Sequence, residues 1–301
     1  MDISIIIVSY NTKELLHNCI KSIIDQTHGV KFEIIVVDNN STDGSIDMVR
    51  YVFPNVRLIA NEQNYGFGRA NNIGSKLSIG KYLLFLNSDT ILVNNALMEF
   101  YQFFEENKNK YNIGVLGAVL RAANGDKVHS YEIFPRMIYF IKQNIKRAIK
   151  YDDIISKIKG VDVTRMETFK EVFTWKEVDY ITGADLFMEK SLFEQLEGFD
   201  EEFFMYFEES HLQYRINTLG RKRIILTSPR IIHLEGKSSS NNKRRLMFDK
   251  SMMLYFRKTC SRGKFRIFKL TYLVTTLISL MTWREYSIKD NINYLKKYSC
   301  F

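Results

Sequence analysis

The chain has 301 residues, 46% hydrophobic and 26% charged, a composition that excludes a disordered or low-complexity protein. Its net charge of +9 leaves nucleic acid, anionic lipid or plain solvent as candidates for its basic surface. Three scattered cysteines, Cys19, Cys260 and Cys300, make neither a disulfide framework nor a metal pattern, so a reducing cytoplasm is the expected compartment.

The opening MDISIIIVSYN has no basic start and no cleavage site, and Ile3–Val8 reads as a buried first strand. Lys13–Gln26 sets Leu15, Leu16, Cys19, Ile20, Ile23 and Ile24 at helical spacing, with Thr12 as N-cap. Phe32–Val37 is a second apolar run, and it ends on Asp38. Ser41–Gly44 opens a helix to about Val52, Val56–Ala60 is a third strand, and Asn71–Leu77 is helical. Tyr82–Leu86 is a fourth strand that stops abruptly at Asn87-Ser88-Asp89. Alternating strands and helices predict an α/β fold: a Rossmann-like, mostly parallel sheet covered by helices on both faces. Such sheets bind ligands at the carboxyl ends of their strands, where Asp38 and Asp89 would share one crevice. Asn87, Ser88 and Asp89 are also ordinary turn formers, so the strand end alone does not decide between these readings. The Gly-rich loop Asn64–Arg69 lacks both the G-x-G-x-x-G spacing and a Walker lysine, so it supports neither a dinucleotide fold nor a P-loop.

The second half carries a different cluster. In GFDEEFFMYFEESHLQYR (Gly198–Arg215), Phe203, Phe204, Tyr206 and Phe207 surround Met205 and lead into Glu208 and Glu209. Apolar surroundings raise a carboxylate pKa, whereas two acids at an exposed helix N-terminus would need no function at all. Arg136–Tyr151 is basic and apolar, either an amphipathic helix or a solvated insertion. Ile224–Leu226 is a late strand, and Ile231-Ile232 leads into His233 and the loop to Ser239, where Lys237 is a candidate phosphate partner. From Asn241 to Leu270 there are ten Lys/Arg against one acid, Asp249. Leu270–Trp283 then runs without a charge, too short to span a bilayer, which takes ~20 residues. Apolar residues behind a basic flank suit an interfacial helix on an anionic membrane, with Leu273, Leu277, Leu280 and Trp283 inserted; a core or dimer helix is the alternative.

Four stretches, IIIVSYN (Ile5–Asn11), VVDNNSTDGS (Val36–Ser45), NYGFGRANNIG (Asn64–Gly74) and LFLNSDT (Leu84–Thr90), resemble the family 2 glycosyltransferases. GAVLRAANGDKVHS…FP (Gly117–Pro135) is similar to the bacterial rhamnosyltransferase-like group within that family. The resemblance covers roughly Ile3–Ser239 and implies a GT-A fold. It assigns Tyr10, Asp38, Asn64, Gly66, Arg69, Asn87, Ser88 and Asp89 to the nucleotide-sugar. Asp89 matches the last carboxylate of the family's D-x-D metal motif, whose first position is Asn87 here, and His233 matches the histidine that completes the metal site for Mn²⁺ or Mg²⁺. Glu177–Ala184 matches the strand and loop that shape the acceptor pocket, with Gly183, Ala184 and Asp185 as candidate acceptor contacts; Asp185 either meets an acceptor hydroxyl or caps a turn. Glu209 matches the catalytic base, with Glu208 second.

The implied activity is a metal-dependent, inverting transfer of a sugar, rhamnose being one candidate, from a nucleotide-diphosphate sugar. The implied acceptor is a glycan or lipid-linked glycan in bacterial surface polysaccharide synthesis. A sugar nucleotidyltransferase and a catalytically inactive partner subunit are the alternatives. No nucleic-acid module is recognisable, so nucleic acid is not an expected partner. The expected organisation is a catalytic domain over residues 1–240, its nucleotide-sugar half about 1–120 and its acceptor half about 121–240. A basic, apolar helical tail follows over 241–301, placing the protein on the inner face of the cytoplasmic membrane.

Overall fold

The computed structural model describes residues 1–148, 173–234 and 241–282. Trp283, Tyr151, Lys237 and the rest of the loop to Ser239 lie outside the described residues. The chain divides into two compact units, Met1–Phe134 with Lys170–Ser238, and Pro135–Phe169 with Ser239–Phe301.

Unit 1 begins with the predicted alternation. Strand β1 (Ile3–Ser9) is followed by helix α1 (Lys13–Gln26), β2 (Phe32–Asp38), α2 (Ser45–Val52), β3 (Arg57–Ala60), α3 (Phe67–Lys76) and β4 (Tyr82–Asn87). Then come β5 (Thr90–Leu92), α4 (Ala96–Tyr111), β6 (Ile113–Ala118) and β7 (Tyr131–Glu132). After the chain returns from unit 2, β8 (Trp175–Val178), β9 (Tyr180–Ile181), β10 (Asp185–Glu189) and α6 (Lys190–Gln195) follow. Helix α7 (Glu208–Thr218), β11 (Lys222–Leu226) and β12 (Ile231–His233) complete the unit.

Eight strands form the central sheet in the order β3-β2-β1-β4-β10-β6-β11-β8. β3, β2, β1 and β4 are mutually parallel, because each α-helical crossover returns the chain to the same edge. β10 then inserts antiparallel to both β4 and β6. β11 lies parallel to β6, and β8 closes the edge antiparallel to β11.

The alternation of each strand sorts its side chains between two cores. Ile3, Ile5 and Ile7 of β1, with Tyr82, Leu84 and Leu86 of β4, pack under α1 and α4. Ile6, Leu83 and Phe85 face the other way, toward α3, α6 and α7. α1 buries Leu16, Cys19, Ile20 and Ile23, one helical stripe, and leaves Ile24 exposed. α3 starts at Phe67, four residues before the expected Asn71, since small residues Gly68 and Ala70 let its first turn approach the rest of the unit.

Unit 2 holds α5 (Met137–Ala148), α8 (Asn241–Thr259) and α9 (Arg262–Thr282). α5 packs along α9, with Asn144 Nδ2 donating to Thr276 Oγ1 at 2.8 Å and both residues buried. Tyr272 of α9 donates its hydroxyl to Asp249 of α8 at 3.0 Å, and Phe268 packs on Phe256. Residues 135–169 fall in the same compact unit as the C-terminal segment, and α5 finds its buried partners on α9. No helix among the described residues is long and apolar enough to cross a membrane.

Candidate active site

The register of β1 brings the ends of three strands level. Ser9 pairs with Asp38, and Val8 pairs with Asn87, so the residues that follow emerge at one carboxyl edge of the sheet. Asn11 and Asn40 adopt left-handed φ of 54° and 67°, which turns the chain sharply after β1 and β2. Tyr10 sits half-exposed on the first of these turns. Asp38 is 1% exposed; its Oδ1 accepts the Ser41 amide at 2.7 Å. Its other oxygen, Oδ2, is buried and has no partner among the described residues. A buried carboxylate oxygen left unpaired is costly, and a ligand hydroxyl or N–H would satisfy it. Ser88 Oγ accepts from Thr12 Oγ1 at 3.1 Å, and Thr12 in turn meets Ser9, so hydroxyls tie the first and fourth strand ends together.

The loop before α3 is held by Asn64 together with the amides of Asn39 and Asn61, which the sequence pattern does not single out. Asn39 Nδ2 donates to Asn64 Oδ1 and to the Gly66 carbonyl, at 3.2 and 3.1 Å, while Asn61 Nδ2 donates to Asn39 Oδ1 at 2.9 Å. Asn64 Oδ1 also accepts the Gly66 amide at 2.9 Å. An asparagine directly after a strand-ending aspartate was the available signal. Arg69, expected at the base and diphosphate, is tied into the protein. Its Nε lies 3.5 Å from Glu201 Oε2 and its guanidinium stacks 4.3 Å over Tyr65, half-exposed. Glu201 also accepts from Asn72 Nδ2 at 3.2 Å, so Arg69 helps bind α3 to the loop before α7.

Asp89 and His233, far apart in sequence, converge. β12 pairs antiparallel with β5, matching His233 to Thr90, and the Leu234 amide donates to the Asp89 carbonyl at 2.9 Å. His233 Nε2 then stands 3.2 Å from Asp89 Oδ1, and both side chains are largely shielded. His233 Nδ1 has no partner among the described residues. No group of three or more His, Cys, Asp or Glu gathers among the described residues. One carboxylate and one imidazole are a donor set that would suit Mn²⁺ better than Mg²⁺. A cavity of about 460 Å³ beside β12 is lined by Arg121, Thr227, Arg230 and Ile232, and none of the expected site residues lines it.

The two glutamates open α7, where the helix N-terminus favours negative charge. They are presented by strained backbone: Tyr206 and Phe207 both have left-handed φ, 72° and 68°, a conformation costly for bulky residues. The Phe204 carbonyl accepts the Phe67 amide at 3.0 Å, which clamps this aromatic loop to the first turn of α3. Glu208 is buried with Oε2 unpartnered among the described residues, facing Gly68 of α3. Burial, and then the neighbouring Glu209 charge, push its carboxyl well above the usual range. Glu209 is only partly buried, and burial raises its carboxyl too, against opposing hydrogen bonds from its own amide and from Ser210. A Cβ on Gly183 would stand 3.5 Å from Glu209 Cβ, so Glu209 and not Glu208 faces the expected acceptor loop. His211 is structural: its Nδ1 lies 3.5 Å from Asp200 and its ring packs on Phe203.

Asp185 departs from expectation. It is fully buried as the first residue of β10, with Oδ2 accepting the Ala118 amide at 2.5 Å. It therefore meets neither solvent nor an acceptor hydroxyl; burial holds its carboxyl well above the usual range. Gly183 and Ala184 precede it, and the Ala184 carbonyl accepts the Asn87 amide at 2.9 Å, joining the acceptor loop to the donor edge.

A parallel sheet interrupted by one antiparallel strand, with acidic groups at its carboxyl edge, is the GT-A glycosyltransferase fold. The family model for glycosyl transferase family 2 matches residues 4–225, and the chain belongs to that family. The poly(ribitol-phosphate) beta-glucosyltransferase of Bacillus spizizenii is 36% identical over 124 residues, 40% of this chain and 20% of that protein. Staphylococcus aureus TarS 1–349 in complex with UDP matches 99% of this chain and 80% of that chain at 17% identity, with a TM-score of 0.57. The Pyrobaculum calidifontis mannosyltransferase PcManGT in complex with GDP-Man and Mn²⁺ matches 99% and 79% at 15% identity, with a TM-score of 0.58. The chain spans less than two-fifths of the length of eight curated relatives that it matches.

Proposed function

We propose that the protein transfers a sugar from a nucleotide-diphosphate sugar to a hydroxyl of a surface-polysaccharide acceptor, with inversion at the anomeric carbon. The observation that carries this reading is the placement of Glu209 beside Gly183, while Asp89 and His233 meet at 3.2 Å at the same sheet edge. The unpartnered Asp38 Oδ2 takes a hydrogen bond from the nucleoside, with half-exposed Tyr10 alongside. Gly66 and Asn64 shape the loop around the donor, and Asn87 and Ser88 complete its floor. Asp89 and His233 would hold a divalent cation, Mn²⁺ before Mg²⁺, which supplies positive charge to the diphosphate leaving group. Glu209 accepts the proton of the acceptor hydroxyl, and its raised pKa makes its carboxylate a stronger base. Burial, and then the neighbouring Glu209 charge, favour the protonated form of Glu208, which limits the negative charge held at the start of α7. The acceptor oxygen attacks opposite the nucleotide, so one displacement inverts the configuration.

UDP and GDP-mannose in the matched structures support a nucleotide-diphosphate sugar donor. The Bacillus relative's name points to a polyol-phosphate polymer as one acceptor class, and the basic, apolar C-terminal segment supports an enzyme lying peripherally on the membrane. Rhamnose is the sugar favoured by the sequence resemblance, and glucose the one favoured by that relative. A panel of nucleotide sugars, incubated with the protein with and without Mn²⁺, tests the reading. Metal-dependent release of a nucleoside diphosphate from one donor is the expected outcome. Cleavage of none, with no thermal stabilisation by UDP or GDP, would overturn it in favour of an inactive partner subunit. Pyrophosphorolysis to a nucleoside triphosphate would assign a nucleotidyltransferase.

A further inference from the structure

The charge of the chain is segregated between its two units. Unit 1 has 21 Lys/Arg and 27 Asp/Glu, a net of −6; unit 2 has 22 and 7, a net of +15. From Lys250 to Thr282 seven Lys/Arg occur with no acid at all. Asp249, the one acid of α8 and α9, is buried against the Tyr272 hydroxyl.

Helix α9 is apolar on two faces. Phe268, Tyr272, Thr275 and Thr276 are buried within the unit. Ile267, Leu270, Val274, Leu277 and Ile278 follow the same helical spacing on the other side and are exposed, Ile267 by 70% and Leu270 by 65%. This stripe is not the one expected from sequence: Leu273 is only partly exposed, and Leu277 is the one member the two sets share among residues with described side chains. The cations Arg262, Lys264 and Arg266 are exposed in the first turns of the same helix.

We infer that unit 2 seats on an anionic bilayer surface through this exposed face of α9, its apolar stripe entering the acyl boundary and its cations meeting lipid phosphates. A second copy is a poor occupant, because two units of net +15 repel. Nucleic acid would use the cations but has no use for five exposed aliphatic side chains. No helix among the described residues is long and apolar enough to cross the bilayer, and four cations fall in the first eight residues of α9. This seating extends the peripheral placement proposed above, and it is read without any sugar transfer.

The test is co-sedimentation of the full chain with phosphatidylcholine vesicles, with and without phosphatidylglycerol, at low and high salt. The wild type should bind the anionic vesicles at least tenfold more tightly than the neutral ones and keep part of that binding in high salt. The triple variant Ile267→Ser/Leu270→Ser/Val274→Ser should lose at least tenfold and become fully salt-labile. Arg262→Gln/Lys264→Gln/Arg266→Gln should lose about fivefold per cation removed. Both variants should keep the wild-type circular dichroism melt and nucleoside-diphosphate release in solution. Equal vesicle binding by wild type and the serine variant would overturn the inference. So would duplex RNA binding that is tighter than vesicle binding and intact in the serine variant, or a dimer that the serine variant abolishes without any vesicle binding by the wild type. Loss of donor cleavage by the wild type, with vesicle binding intact, would refute the enzymatic reading alone.

Discussion

Gly66 is the position where one added methyl group should separate the two halves of the site. Its φ of 82° and ψ of −177° lie in a region used essentially by glycine alone, which costs another residue about 1–3 kcal/mol. A Cβ there would stand 2.1 Å from the Phe204 carbonyl oxygen and 2.9 Å from its carbon, backbone atoms that no side-chain rotation can remove. Moving Phe204 breaks its hydrogen bond from the Phe67 amide, worth about 0.5–1.5 kcal/mol. Gly66→Ala should therefore cost roughly 2–4 kcal/mol in a urea unfolding experiment. The relief available is parting of the aromatic loop from α3, and that loop carries Glu208 and Glu209. Activity should fall further than stability: a displacement of ~1 Å at a reacting group can cost ~10²-fold. Both are read from one preparation, by urea midpoint and by nucleoside-diphosphate release at saturating donor. A Gly66→Ala protein within about 0.5 kcal/mol of wild type and with native kcat would refute the clamp between these loops.

Glu209→Gln should lower kcat by ~10²–10⁴ while donor affinity is kept, because the side chain faces the acceptor loop. If Glu208→Gln is the inactive variant and Glu209→Gln turns over normally, the roles are reversed. Asp89→Ala should abolish metal-dependent UDP binding in calorimetry without lowering the melting temperature, and unchanged affinity in Mn²⁺ would remove Asp89 from the metal site. Asp185 gives a pH signature: its folded pKa is raised, so its contribution is fully present below the ordinary carboxylate pKa and is lost as pH rises toward the folded value. The stability of Asp185→Asn relative to wild type should thus increase with pH, by up to ~1.4 kcal/mol per unit, and parallel melting curves from pH 5 to 9 would show that Asp185 is not buried as a neutral acid.

What could be read in the sequence was local. The apolar runs at Ile3, Phe32 and Tyr82 became β1, β2 and β4 because a strand buried on both faces is nearly continuous in apolar residues, with Ser4 and Glu33 hydrogen-bonded to each other as exceptions. Asp89 and His233 were legible as polar stops after apolar strands, although only the β5–β12 pairing shows that they meet. Asp185 was misread because GADLFM has the look of a loop followed by a strand. Nothing local reveals that β10 runs antiparallel between β4 and β6 and so draws its first side chain under the neighbouring strand. The placement of α5 was equally hidden, since its partner α9 lies more than a hundred residues away in sequence. The left-handed Tyr206 and Phe207 have no sequence signal at all; bulky aromatics ordinarily avoid that region.

The insertion of β10 also bears on how the sheet is synthesised. β4 pairs with β1 on one side as soon as both exist, but its other neighbour, Asp185–Glu189, leaves the ribosome only after the excursion through unit 2. At ~5–20 residues per second that delay is roughly 5–20 s. Throughout it, Tyr82–Leu86, five residues wholly apolar and later wholly buried, presents an open row of backbone donors and acceptors. An uncovered edge of this kind invites pairing with another nascent chain. A polypeptide ending at Phe134 would keep that edge permanently open, and should collect as insoluble aggregate even though its first four strands have every local partner they need.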